Sequence, residues 1–135
     1  MDQHRKLVHV TQMPIRWGDQ DALGHVNNTV YFRYMEQTRI EWLESMGLVT
    51  KQQQTEGPVI VTTGCSFLIP IVYPGLLECK MFSGMPGRSS VESFYEMRVT
   101  GDDRLFAEGT AKMVWVNVDT GKSTPMPEVL RASCL

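Results

Sequence analysis

From Leu7 to Arg16 the chain alternates imperfectly. Val8 and Val10 fall on one side, and His9, Thr11, Met13 and Ile15 on the other. That period of two predicts a half-buried strand, and Pro14 within it points to an edge or a bulge. From about Asn28 to Met46 the period lengthens. Tyr31, Tyr34, Met35, Thr38, Trp42 and Met46 recur at spacings of three and four, which marks one face of a helix. Val30, Ile40 and Leu43 widen the apolar surface, so the helix is predicted to be buried on more than one side. Asn27 or Asn28 can cap its start, and Gly47 suits the left-handed position past its end. Glu36 and Arg39, one turn apart, are expected to pair.

Lys51 to Gly57 reads as a polar loop. Val59 to Ile69 is β-branched and apolar and stops at Pro70, which predicts a largely buried strand with a bulge at Gly64. Tyr73-Pro-Gly75 is a turn signal, and Leu76 to Met85 a moderate strand closed by Gly84-Met-Pro-Gly87. Ser90 to Thr100 alternates cleanly: Val91, Tyr95, Met97 and Val99 oppose Glu92, Glu96, Arg98 and Thr100. After a hairpin signal at Gly101-Asp-Asp103, Leu105 to Val118 forms a long strand. Ala107, Gly109 and Ala111 on one face of it would let a helix lie close. Another turn follows at Asp119-Thr-Gly121, and Pro125 to Leu135 reads as a tail with about one helical turn. The order predicts an α+β fold: one long helix against a curled antiparallel sheet of about five strands. A single domain is expected over residues 1–135, with its core at about 8–118. One helix leaves sheet edges open, and dimerisation by continuing the sheet would cover one of them.

Composition narrows the function classes. The 135 residues are 42% hydrophobic, with a formal net charge of -2 and no basic run. Nucleic acid and anionic membranes are therefore disfavoured as partners. Cys65, Cys79 and Cys134 form no CxxC pair, and His4, His9 and His25 lack ligand spacing. No metal or cofactor is expected, and free thiols fit a reducing cytoplasm. The polar start, Met1-Asp-Gln-His-Arg-Lys, has no signal-peptide character. No run is apolar and long enough to span a bilayer.

The chemistry concentrates between the first strand and the helix, in Arg16-Trp-Gly-Asp-Gln-Asp-Ala-Leu-Gly-His-Val-Asn-Asn-Thr-Val-Tyr31. Two carboxylates, a histidine and two asparagines crowd the mouth of a helix. Unpaired N–H groups there carry partial positive charge that attracts developing negative charge.

These residues carry a resemblance. Asp19-Gln-Asp21-Ala-Leu-Gly24-His25-Val26-Asn27-Asn28 followed by Tyr31 resembles the hotdog-fold acyl-CoA thioesterases of the 4-hydroxybenzoyl-CoA thioesterase type. Pro70-Ile-Val-Tyr73-Pro-Gly and Gly87-Arg88-Ser89-Ser90-Val91 are similar too, so the likeness runs from about Val8 to Val118. It implies a central helix wrapped by an antiparallel sheet. It also implies homodimers or homotetramers, as dimers of dimers, with active sites at subunit interfaces.

On that resemblance Asp21 attacks an acyl-CoA thioester, as general base for water or as nucleophile forming a mixed anhydride. A main-chain N–H near Asn28 receives the carbonyl oxygen. His25 assists, Asn27 or Asn28 orients Asp21, and Tyr31 lines the acyl pocket. Arg88, Ser89 and Ser90 suit the phosphates of coenzyme A. Plainer readings stand beside these. Asp19 and Asp21 can be turn formers bonding their own backbone. His25 can hold a structural hydrogen bond, Tyr31 can be a core aromatic, Glu36 can be structural, and Arg88–Ser90 a solvated turn. A carrier-protein thioesterase or a dehydratase is the enzymatic rival, and a non-catalytic acyl-CoA binder the rival of another class. The Gly-x-Ser-x-Gly elbow of α/β-hydrolases is absent.

Overall fold

The computed structural model describes residues 4–49 and 54–135. Strand β1 (Lys6–Pro14) leads through a short 3-10 turn, Trp17–Asp19, to helix α1 (Asn28–Ser45). Strands β2 (Glu56–Phe67), β3 (Leu76–Ser83), β4 (Ser90–Val99) and β5 (Ala107–Asn117) follow, then helix α2 (Glu128–Cys134). All five strands form one antiparallel sheet in the order β1-β3-β4-β5-β2. The loop expected at Lys51 to Gly57 lies partly outside the described residues, and β2 takes its last two positions.

Helix α1 buries Tyr31, Tyr34, Met35, Thr38, Trp42 and Leu43. That is the predicted face, with Leu43 joining it, while Met46 is only partly covered. Asn27 is the cap: its side chain accepts from the Thr29 N–H at 2.9 Å. Gly47 takes the left-handed conformation past the helix end, at φ 71°. The helix lies on the sheet face formed by Leu77, Cys79, Met81, Val91, Tyr95, Met97, Ala107, Ala111 and Met113, all buried. Pro14, which cannot donate to a ladder on its proline nitrogen, sits at the end of edge strand β1 opposite Leu76.

Gly109 sets how close the helix comes. A Cβ there would collide with Met35 Sδ and stand 3.2 Å from the Gly64 carbonyl oxygen. Gly109→Ala is therefore expected to destabilise the fold by about 1–3 kcal/mol, the usual penalty of overpacking. Gly64→Ala, whose added carbon would meet only Thr110 Oγ1 at 3.8 Å, is expected to be tolerated. Urea denaturation of the two variants separates them.

Four expectations need correction. First, β2 is an edge, and Val59, Ile60, Val61 and Phe67 are exposed in the single chain. An apolar run signals that something covers it, and among the described residues nothing does. Second, the bulge falls between Ile60 and Thr62, while Gly64 pairs regularly with Thr110. Third, Glu36 pairs with Arg33 at 3.1 Å on the exposed surface. Arg39 instead turns inward to the Tyr95 hydroxyl at 3.1 Å, which meets Ser93 Oγ at 2.7 Å. Arg33 and Arg39 both lie three residues, one turn, from Glu36, and for Arg39 a buried phenol outcompeted the surface carboxylate. Fourth, the supposed tail carries helix α2, which buries Leu130 and Cys134, and Met126 just before it is buried too. Seven residues give too weak a periodic signal to separate a packed helix from a frayed tail.

Candidate functional site

The Asp19–Asn27 segment is a closed turn held by its own backbone. The Asp21 N–H donates to the His25 carbonyl at 2.9 Å, and the Gly24 N–H to the Asp21 carbonyl at 3.1 Å. Gly24 has φ 79°, a conformation glycine adopts without strain. The Asn27 N–H donates to the Asp19 carbonyl at 2.9 Å, and Val26 N–H to Ile71 O at 2.8 Å. The turn is thereby fixed both to the start of α1 and to the loop between β2 and β3.

Both aspartates bond locally, as turn formers do. Asp19 Oδ2 accepts from the Arg16 N–H at 2.9 Å and Asp21 Oδ1 from the Leu23 N–H at 2.9 Å. They differ in what is left over. Asp19 Oδ2 also receives the Tyr34 hydroxyl, at 2.9 Å. Asp21 is exposed, and its second carboxylate oxygen has no partner among the described residues. The side chains of His25 and Asn28 are likewise exposed and make no hydrogen bond there. The structural bond considered for His25 is thus absent among the described residues.

The mouth of α1 leaves one donor open. The Thr29 N–H is taken by the Asn27 cap, and the Val30 N–H donates to the Asn27 carbonyl at 2.9 Å. The Asn28 N–H, first of the helix, donates to no described group. An unpaired amide at the positive end of an 18-residue helix can bind a carbonyl oxygen that is gaining negative charge.

Tyr31 is buried, with its ring edge-on to Phe67 at 4.8 Å. Burial holds its phenol protonated, above its ordinary range, and does the same more strongly for Tyr34, where the Asp19 carboxylate adds to the effect. A groove of about 500 Å³ runs beside this turn between β1 and α1, past Met13, Arg16, Asp19, Val30 and Tyr34. Smaller hollows lie on the other side of the helix, against β2.

Arg88, Ser89 and Ser90 are not brought to this turn. Arg88 and Ser89 precede β4 and Ser90 opens it, while its far end at Val99 adjoins the Asp21 side through Thr100 N–H to Leu76 O. Ten residues of strand, at about 3.3 Å each, put roughly 30 Å between the two ends. The Arg88 backbone is pinned by the C-terminal segment: its carbonyl accepts from the Met126 N–H at 3.1 Å and from Arg131 at 3.0 Å. The Arg88 side chain remains exposed.

The model of the thioesterase-like superfamily matches residues 15–133. The chain belongs to this family. Among solved structures, the PA2801 protein of Pseudomonas aeruginosa, described as a candidate thioesterase, is 36% identical with a TM-score of 0.92. The likeness covers 96% of this chain and all of that one. A candidate acyl-CoA thioesterase of Xanthomonas campestris is 28% identical with a TM-score of 0.78, over 90% of this chain and 100% of the other. Slr0204 of Synechocystis, a 1,4-dihydroxy-2-naphthoyl-CoA thioesterase, shares the fold at 16% identity, with a TM-score of 0.86 over 93% and 94% of the two chains. One long helix wrapped by five antiparallel strands is thus the hotdog fold of the thioesterase-like superfamily. Among the described residues of this thioesterase-like chain, no helix is long and apolar enough to cross a membrane.

Periodicity puts Tyr34 on the buried helix face but records only the ring, so the bond from its hydroxyl to Asp19 was not legible in the sequence.

Proposed function

We propose that this protein hydrolyses an acyl-CoA thioester to the free acid and CoA. The observation that carries the reading is that the closed turn bearing Asp21, with a carboxylate oxygen unpartnered among the described residues, runs directly into the Asn28 N–H, which is likewise unpaired there. Asp21 supplies the attack, either by taking a proton from water or by adding to the carbonyl itself. The Asn28 N–H polarises the thioester carbonyl and holds the tetrahedral oxyanion. In either route the C–S bond breaks, the thiolate of CoA departs and takes up a proton, and one water is consumed; its oxygen ends in the acid or, when a mixed anhydride is opened at the protein carboxyl, on Asp21. His25, whose carbonyl accepts the Asp21 N–H, is assigned the assisting role. Asn27 fixes the helix start, and Tyr31 walls the acyl end.

The unit proposed is a dimer joined along β2. Strands related by a two-fold axis pair antiparallel. The start of one β2, near the Arg88 turn, then lies beside the end of the other, near Asp21. This supports a site between subunits, with Asp21 from one and the CoA phosphates held by Arg88, Ser89 and Ser90 of the partner subunit. The separation of the two groups within one chain is then an expected feature. Two such dimers can associate further as a tetramer.

A hydrolysis screen of the purified protein across acyl-CoA lengths tests the reading. Release of CoA from at least one acyl class is expected, and none from any class would refute it. Arg88→Ala is expected to raise KM for CoA esters by roughly tenfold, the worth of a charge-assisted bond. For a short thioester lacking the nucleotide KM should hardly change. Equal effects on both substrates would remove the phosphate assignment.

A further inference from the structure

The proposed chemistry requires the Asp21 carboxylate to face the helix mouth, although among the described residues its side chain bonds only the Leu23 N–H two residues ahead. What ties this turn to α1 runs through Asp19. The Asp19 carbonyl accepts the Asn27 N–H at 2.9 Å, and Asp19 Oδ2 gathers the Arg16 N–H and the Tyr34 hydroxyl, each at 2.9 Å. The first two bonds stay within the segment between β1 and the helix. The third comes from six positions into α1, about 9 Å along its axis. Helical side chains lean toward the N-terminus, so Tyr34 reaches back along the helix to the turn that precedes it.

We infer that Tyr34 is a positioning residue, which sets the Asp21 turn against the mouth of α1 by donating its hydroxyl to Asp19. The inference rests on the thioesterase reading for its effect on rate, but its structural part stands on the bonds alone. Tyr34 is 4% exposed and packs edge-on to Tyr31 at 6.3 Å, so its ring belongs to the core while its hydroxyl surfaces at Asp19. Burial and the adjacent carboxylate keep the phenol protonated, so it remains a donor over the working pH range. Without it, among the described residues Asp19 Oδ2 retains only the Arg16 N–H, and the side-chain link from the turn to the helix body is gone.

Tyr34→Phe keeps the ring and removes the bond. Its kcat for any accepted acyl-CoA is expected to fall by roughly 10- to 100-fold, the scale of a small misplacement of catalytic groups. KM should stay within about twofold, and the fall should be the same for every acyl length. Asp19→Ala, which removes the acceptor, should lose at least as much, and the double variant should be no slower than Asp19→Ala alone, because Tyr34 acts through Asp19. A residue that touches the acyl group would instead change KM and make the loss depend on chain length. That outcome, or undiminished kcat with wild-type turnover intact, overturns the inference and leaves the thioesterase reading standing. If the wild-type protein hydrolyses no thioester, that reading falls, and amide exchange still decides the positioning role. In Tyr34→Phe the Leu23 and Asn27 amides should exchange at least tenfold faster, with the core strands unchanged. Equal exchange would overturn it.

Discussion

Asp21→Asn is expected to lower kcat for an acyl-CoA by roughly 10²- to 10⁴-fold, the range that a general base contributes, and to leave fold and oligomeric state unchanged. The asparagine oxygen can still cap the Leu23 N–H, so the turn keeps its bond. Lost are the negative charge and the basic oxygen. An amide can neither take a proton from water near neutral pH nor form an anhydride. The two routes predict different details. On the nucleophilic route, single-turnover reaction in ¹⁸O-water places label on Asp21 of the wild-type enzyme after the anhydride is opened at the protein carboxyl, or in the product alone if water attacks the acyl carbon. Undiminished turnover by the variant would exclude the assigned role. A loss accompanied by unfolding would be read from circular dichroism and traced to the turn.

The elements whose signal is local were legible before the fold was known. Helix α1 shows this: its apolar stripe spans several turns, its cap is Asn27, and Gly47 stops it, so three independent signals agree. β4 was equally plain, because alternate residues face the core and water along its whole length. The small residues of β5 forecast the close approach of Met35 at Gly109. What the sequence hid depends on tertiary choice. Arg39 had a carboxylate one turn away and a phenol 56 positions away, and only the fold reveals that the phenol is nearer. Helix α2 is short, and its burial follows from the sheet end it meets, where Arg131 reaches the backbone of the Arg88 turn. The candidate site divides in the same way. The Asp21 turn is contiguous in sequence, and its polar crowding at a helix start is visible directly. Arg88 belongs to the other end of the sheet, and no pattern within one chain states that a second copy could bring it near.

Lysine at both Val59 and Val61 is expected to yield a monomer and to reduce hydrolysis by at least 100-fold. Both valines are exposed on the edge strand, at 42% and 52%, beside Ile60. Burying such a side chain fully stabilises by about 1.5–3 kcal/mol, and a two-fold joint counts each valine twice. Lysine reverses the sign: charged side chains on an edge are the usual barrier to strand addition, and like charges would face each other across the axis. The folded chain itself should survive, since β2 keeps its ladder with β5 from Glu56 to Phe67 and the new ammonium groups stay in water. Sedimentation velocity gives the oligomeric state, and CoA release gives the activity. A dimer that persists with full activity would show that another surface joins the subunits. A monomer that still hydrolyses at the wild-type rate would show that Asp21 and the α1 mouth suffice without Arg88 of the partner subunit. In that case the site would lie within one chain, and the groove beside Asp19 would be the place for the acyl group.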